Sequence, residues 1–359
     1  MTTLEVIRDP PSLVALAPEW GALWECCSNA TPFQTPEWLL SWQRHLGGGR
    51  LHVLAVRREG YLQALLPLRV RGFPRRLALL GAGVSDYLDA LIAPDAGLEV
   101  EGQLREALAE AIRRGTAVDF DQLRPVSPLL AWELTGQRCE WQREPCPILA
   151  LTPTLDELRS RWSPSLQKHV AYARRRLERA GGQIESASEE TLEETLTVLF
   201  QAHQRRWNRR LLPGAFARAA VRAFHREAAA SLLARGLLRL YALRWEGQVA
   251  AALYCFAGHG RCCYYAVGFQ ECVQALSPGT LLIAHALEDA VSRGDSEFDF
   301  LRGNEPYKYR WGAVDRFNRR MLYASPTLAG AWAARAITTE LAVEATAKRL
   351  ADRWVRRGS

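Results

Sequence analysis

Lysine is almost missing from this 359-residue chain: of 46 basic side chains only Lys168, Lys308 and Lys348 are lysines, the rest being arginines. A lysine kept against such a bias marks a position where a compact ammonium does what a guanidinium fork does not. No C-x-x-C occurs among the eight cysteines; Cys26-Cys27 and Cys262-Cys263 are adjacent pairs, and Cys139 and Cys146 stand apart. That spacing excludes the usual zinc sites, so no metal is expected. Cys262 and Cys263, pointing to opposite faces of a strand, read as small buried apolar residues. Long apolar runs are lacking too: uncharged stretches such as 247–260 fall short of the ~20 residues a membrane helix needs. The start, MTTLEVIRDPP, lacks the layout of a secretory signal. A cytoplasmic protein without membrane insertion is the expectation. No G-x-S-x-G elbow, P-loop, Rossmann glycine fingerprint or H-E-x-x-H occurs, which removes the usual support for hydrolase, kinase, dehydrogenase and zinc-protease readings.

What is present is the composition of a globular protein, 48% hydrophobic and 24% charged, at a length that points to two domains. The net charge of +7 favours anionic partners: phosphates, nucleotides or RNA.

Along the chain, residues 13–27 have helical spacing, and Pro36 opens a second helix through Trp38, Leu39 and Trp42. Strands are expected at 51–56 and 61–70, split by a turn at Glu59-Gly60, and at 76–80 and 87–92. A helix follows at 100–114 and a strand at 118–123. Prolines punctuate 125–128 and 145–153, and the domain boundary is placed in the second stretch, giving domains 1–147 and 148–359. The second half repeats the style. Ser163-Pro164 caps a basic helix to Ala180, a short strand covers 183–186, and helices cover 189–206 and 213–234. Strands are expected at 237–245, 248–257 and 261–269, with a tight turn at Glu246-Gly247. Ser277-Pro278-Gly279 starts a long helix, and strands at 297–301 and 317–324 precede an amphipathic tail, 328–357. The tail's apolar side (Trp332, Ile337, Leu341, Ala345, Leu350, Trp354) is suited to packing on the body or on a partner. Both halves thus follow one α/β plan.

The richest segment for chemistry is 297–311. Its strand ends at Arg302-Gly303, and functional groups cluster where strands of an open sheet end. Lys308, between Tyr307 and Tyr309, is suited to hold a phosphate or stabilise a developing oxyanion; the alternative is an ammonium snorkelling from an aromatic patch. Asp299 alternates with Phe298 and Phe300 and reads as a general base, as the orienter of Lys308, or as an acceptor for a backbone loop. Glu297 shares its face. Ser277, Gly279 and Thr280 open a helix whose N–H groups suit a pyrophosphate, or form a plain cap with Pro at the first position. His203, Arg206 and Trp207 lie on one helical stretch and are candidates to line a cleft, against a structural reading of the histidine. Lys168, Arg174, Arg175, Arg176 and Arg179 on one helix, and Arg205, Arg206, Arg209 and Arg210 around Trp207, read as RNA-binding patches or as solvated faces.

Taken together the pieces resemble the CelD/BcsL-type acetyltransferases, a branch of the GNAT superfamily related to the FemAB peptidyl transferases. The first half contributes Phe33-Gln-Thr-Pro-Glu-Trp38 with Trp42, Leu65-Leu-Pro-Leu68 and Asp86-Tyr87. The second contributes Arg174 to Leu177, His203 with Arg206-Trp207, Ser277-Pro-Gly279, and Asp299 to Gly303 followed by Tyr307-Lys308 and Trp311. The resemblance implies two tandem GNAT-like domains of α/β (α+β) class, each a mixed, largely antiparallel sheet flanked by helices, the first degenerate. It implies acyl transfer to an amine, of a small molecule or sugar, from acetyl-CoA or another acyl-CoA that is a co-substrate rather than a tightly bound cofactor. Lys308 and Asp299 would serve the reacting centre, Ser277, Gly279 and Thr280 the donor's phosphates, and His203, Arg206, Trp207 and Tyr307 the acceptor. In FemAB relatives the donor is an aminoacyl-tRNA and a lysine matching Lys308 supports the reaction, so tRNA is the alternative donor. One departure stands out: the GNAT pyrophosphate loop Q/R-x-x-G-x-G/A survives only as an echo at 274–279. A further alternative is a non-catalytic factor in exopolysaccharide or cellulose synthesis that docks through the tail helix.

Overall fold

The computed structural model describes residues 1–209 and 212–357, the side chains of 344, 345 and 347–357 excepted. Arg210 and the side chains of Ala345, Leu350 and Trp354 therefore lie outside the described residues. The chain divides into two compact units: residues 1–143 together with the segment from 317 onward, and residues 144–316.

The first unit begins with a strand the alternation rule passes over, Thr2–Ile7, antiparallel to Val53–Arg58, which pairs in turn with Tyr61–Leu66; Leu91–Ile92 completes this four-stranded sheet. A second sheet runs from the first-unit parts of Gln137–Ala150 and Val314–Ala324 through Ala117–Leu123, Arg76–Leu79 and Leu68–Arg71 to Arg50–Leu51. Arg76–Leu79 and Ala117–Leu123 are parallel, joined by the crossover helix Gly97–Arg113. Four tryptophans fill the core, and three close their indole donors on nearby oxygens: Trp20 on Gln34 O, Trp24 on Thr31 O and Trp38 on Ser85 Oγ, at 2.8–2.9 Å. Thr35 caps Pro36–Leu46 through its hydroxyl.

The sequence places the tail with the second domain; the structure places it with the first unit. Strand Val314–Ala324 pairs with Ala117–Leu123, and Arg320 grips the buried Asp119 with two bonds of 2.8 and 2.6 Å. Helix Leu328–Arg357 buries Ala334 and Ile337 against Ala117, Leu322 and Ala324, while Arg76 makes a fork of 2.7 and 2.9 Å on Glu340. Side chains more than 200 residues upstream thus hold it, which no local pattern reports.

In the second unit the strand order is Gln183–Ser186, Leu238–Trp245, Gln248–Gly258, Arg261–Phe269, Glu297–Asp299, then the end of Gln137–Ala150. Every pairing is antiparallel except that of Arg261–Phe269 with Glu297–Asp299, which the helix Pro278–Ser292 connects. Pro164–Arg179 and Pro278–Ser292 pack on one face with Tyr241, Leu253 and Tyr264. Leu192–Asn208 and Ala219–Ala234 cover the other, where the rings of Phe200, His225 and Tyr254 meet. Glu246 and Gly247, at φ 50° and 76°, make the two-residue hairpin turn.

Two local readings are corrected. Pro145 and Pro147 do not break the chain but sit inside a 14-residue strand, because their carbonyls only need to accept, from Gly303 N and Phe300 N, both at 2.9 Å. The helix expected from 213 begins at Ala219. Both units repeat one plan, helices and an antiparallel meander followed by a parallel crossover, so the fold is the mixed α/β, GNAT-like one expected.

Candidate active site

The site arises where the second unit's two parallel strands part. Their register runs Arg261↔Glu297, Cys262↔Phe298 and Cys263↔Asp299, then stops, while Arg261–Phe269 continues for six residues. The chain leaves at Leu301, whose φ of 55° lies in the left-handed region a leucine avoids. A cavity of about 310 Å³ fills the widening gap at the strands' carboxyl ends, the position at which open α/β sheets bind ligands.

Its polar wall is basic. Gly279 and Thr280 line it from the start of Pro278–Ser292, where their N–H groups precede the first intrahelical bond, Leu281 N to Ser277 O at 3.1 Å. A Cβ on Gly279 would meet only Phe269 Cε1, at 4.0 Å, so the space above it is open. Ser277 precedes them at φ 57° and makes no side-chain cap; it is not among the lining residues. Arg206 and Arg310 add two guanidinium groups. The helix start and two arginines together form an anion cradle.

The remaining wall is aromatic and aliphatic: Tyr264, Phe269, Tyr307 and Trp311, with Leu166, Val267 and Ile283. Trp311 is set by an edge contact with Trp162, 5.2 Å between centroids. Burial raises the phenols of Tyr264 and Tyr307 above the ordinary tyrosine value, so both stay protonated, with Tyr264 donating to Tyr307. No carboxylate or imidazole stands among the lining residues.

Several sequence candidates sit elsewhere than expected. Lys308 is 2% exposed, and its ammonium donates to three carbonyls, Leu301 O at 3.1, Arg302 O at 2.9 and Gly303 O at 3.0 Å, with Glu305 Oε2 at 2.9 Å. Three donors are thereby committed to four acceptors, and the lysine staples the 301–305 loop rather than facing the cavity. Asp299, 1% exposed, accepts from Leu301 N at 2.8 Å through Oδ1 and meets Arg316 through Oδ2. Nη1 of the same guanidinium donates to both oxygens of Glu297, at 3.0 and 2.9 Å. The shared face of the two carboxylates is therefore a cation seat. Asp299 and Lys308 act together on Leu301, one on its N–H and one on its carbonyl, which holds the strained residue where the strand leaves the sheet.

His203 accepts at Nε2 from Trp207 Nε1, 3.0 Å away, and lies edge-on to Phe216 at 4.9 Å. Burial, with Arg206 nearby, lowers it to about 4, so it is neutral near pH 7. Neither His203 nor Trp207 lines the cavity, whereas Arg206, one residue away, does. Of the expected set, Gly279, Thr280, Arg206 and Tyr307 converge. Sequence reasoning missed Tyr264, Phe269 and Arg310; the alternation of Tyr264 with Cys263 carried a signal, which became readable only once the covered sheet face was known.

None of the eight cysteines forms a disulfide. Among the described residues no group of three or more His, Cys, Asp or Glu comes together to hold a metal ion, and no helix is long and apolar enough to cross a membrane.

Residues 164–309 match the family model described as the acetyltransferase (GNAT) domain. No curated protein sequence matches the chain. Among solved structures the chain resembles FemX (TM-score 0.62, 12% identity, 86% of this chain and 96% of that one). It also resembles the C-terminal domain of a putative lysylphosphatidylglycerol synthetase from Agrobacterium fabrum (TM-score 0.58, 12% identity, 92% and 95%). L-PGS from Bacillus licheniformis is a third (TM-score 0.56, 16% identity, 89% and 93%). At such identities the likeness is one of fold. The matched stretch, which belongs to the GNAT acetyltransferase-domain family, encloses every wall of the cavity but Arg310 and Trp311, and the fold of the chain resembles that of FemX.

Proposed function

We propose that the second unit transfers an acyl group from acyl-CoA to an amine, of a small molecule or sugar, by direct attack. One observation carries the reading: the cavity at the parted strands joins a helix start and two arginines to an aromatic trough, which is what a phosphorylated thioester requires. Gly279 and Thr280 N–H, with Arg206 and Arg310, receive the donor's phosphates. The acyl arm runs along Val267 and Phe269 towards Tyr264 and Tyr307. Tyr264 donates to the Tyr307 oxygen, which leaves the protonated Tyr307 phenol suited to donate to the thioester oxygen as charge develops on it. The amine nitrogen bonds to the acyl carbon as the C–S bond breaks; the sulfur leaves as thiolate and is protonated, and the amine proton passes to water, since the lining residues include no base. Lys308 and Asp299 are positioning residues that hold the 301–305 loop, and Tyr307 with it.

The first unit is read as a non-catalytic copy. At the matching end of its parallel strands, a Cβ on Gly81 would meet Ser85 Oγ at 2.6 Å and Leu39 Cδ2 at 2.9 Å, so side chains already fill that space. Eight cysteines kept as thiols suit a reducing, cytoplasmic setting.

A second reading, aminoacyl transfer from charged tRNA, draws on the helix Pro164–Arg179. Its Leu166 lines the cavity while Lys168, Arg175 and Arg179 are exposed. For a non-catalytic assembly factor the tail helix offers less, since Ala334 and Ile337 are buried within the first unit.

The test is thermal unfolding with CoA, acetyl-CoA and longer acyl-CoAs. A ligand at 100 times its Kd adds about 2.7 kcal/mol of stability. A saturable rise that Arg206→Gln weakens supports the proposal; no rise at millimolar ligand rejects it in favour of the tRNA donor.

A further inference from the structure

The first unit has a cavity of its own, of about 410 Å³, at the opposite end of its parallel strands. Arg75 and Thr116 line it, each directly preceding one of the two strands, and Ala111 and Arg114 line it from the end of the crossover helix. A helix end is the negative pole of the helix, so by itself this place repels anions. The side chains reverse the sign. Arg8, Arg50 and Arg75 converge here with no acidic partner among the described residues, in a unit whose other arginines are mostly paired: Arg57 with Glu19, Arg76 with Glu340, Arg143 with Asp121 and Arg320 with Asp119. Arg114 is held by Glu110 at 2.6 Å, and so is Arg113 at 2.8 Å, which leaves that carboxylate neutralised twice over.

The floor is apolar, formed by Val6, Leu54, Val70 and Leu77, and His52 lies half-buried among the three arginines. Burial and the charges of Arg8, Arg75 and Arg50 lower His52, so its ring is a neutral hydrogen-bonding group near pH 7. Three unpaired guanidinium groups around one concavity repel each other unless an anion joins them. The charge they call for is about three, which a terminal diphosphate carries near neutrality and a monophosphate, at about two, does not. The volume exceeds a diphosphate and is of the order that holds a small organic molecule.

We propose that this cavity binds a diphosphate group, with Arg8, Arg50 and Arg75 on its oxygens and the apolar floor beneath the organic body it is attached to.

Calorimetric titration of the full chain with inorganic pyrophosphate, ADP and AMP tests this. In the Arg206→Gln chain, whose second-unit phosphate cradle is weakened, pyrophosphate and ADP bind with one saturable event, and AMP at least tenfold more weakly. Tighter binding of ADP than of pyrophosphate assigns an organic diphosphate; equal binding assigns the free anion. Arg50→Gln combined with Arg75→Gln raises Kd at least tenfold and leaves Tm unchanged, because both side chains are exposed and unpaired. Arg206→Gln, in the second unit, leaves this binding intact. The proposal fails if neither diphosphate binds, if AMP binds as tightly, if the double variant binds normally, or if Arg206→Gln abolishes the binding instead.

Discussion

Replacing Lys308 by methionine separates a scaffold from a reacting group. The substitution keeps the stem's volume and removes the ammonium that serves Leu301, Arg302 and Gly303 carbonyls at 2.9–3.1 Å. Hydrogen bonds from a charged donor contribute about 1.5–3 kcal/mol each, and a buried acceptor left without one costs about 1–3. Two of the three bonds are only partly buried, so water replaces part of the loss, and the net cost is about 3 kcal/mol by the same reasoning. For a unit of this size each kcal/mol moves Tm by about 2–4 °C, so the second unit's transition falls by roughly 6–12 °C. Turnover falls with it, because Tyr307 precedes the lysine on the same short turn. Lys308→Arg rescues neither, since a planar fork does not fit three carbonyls converging on one point. Calorimetry and acetyl-CoA turnover on the same samples read both effects. If Tm stays within about 1 °C while turnover disappears, the ammonium acts on substrate and the positioning argument is wrong.

Three further outcomes follow from the geometry. Arg316→Ala leaves the buried Asp299 and the half-buried Glu297 facing one another without that cation and costs about 3–5 kcal/mol, read by urea unfolding; a loss below 1 kcal/mol would contradict the seat described. Gly279→Asp suits a helix start and leaves the stability equal or higher by a few tenths of a kcal/mol, yet abolishes the CoA-induced thermal shift, because the carboxylate occupies the phosphates' position. His203 and His225, lowered by burial to about 4 and about 3, contribute stability that is fully present above pH ~6.5 and lost as pH falls towards those values. Tm scans between pH 7 and 4 read this as a fall that His225→Phe shallows, and a flat profile would speak against neutral buried rings.

How far the sequence announced this structure depends on the range of the force concerned. The meander from Leu238 to Phe269 and the helix start at Ser277-Pro278 rest on alternation and on proline's missing donor, both local, and they are legible. Gln137–Ala150 is hidden because its prolines stand where only acceptors are needed, a fact fixed by Phe300 and Gly303 more than 150 residues away. Lys308 was singled out for its rarity, and the rarity is accounted for by three carbonyls that a point-like donor satisfies. Its place in the loop rather than in the cavity depends on the left-handed turn at Leu301, for which leucine gives no hint. Arg310 was passed over because one arginine among so many carries no distinction until a helix start is found beside it.

The return of residues from 317 onward to the first unit bears on how the protein is made. A ribosome delivers residues 1–143 first, yet Ala117 and the parallel strands wait for Leu322, Ile337 and Glu340 to be buried and paired. Residues 144–316 are complete in the chain before those partners emerge, so the later-synthesised unit is the earlier one able to finish folding. Until then the first unit has an open sheet edge at Ala117–Leu123 and a buried aspartate, Asp119, short of its Arg320 partner. The nascent chain is therefore most exposed to aggregation in its oldest part, and a chaperone acting there needs to hold it for the time taken to synthesise the intervening unit.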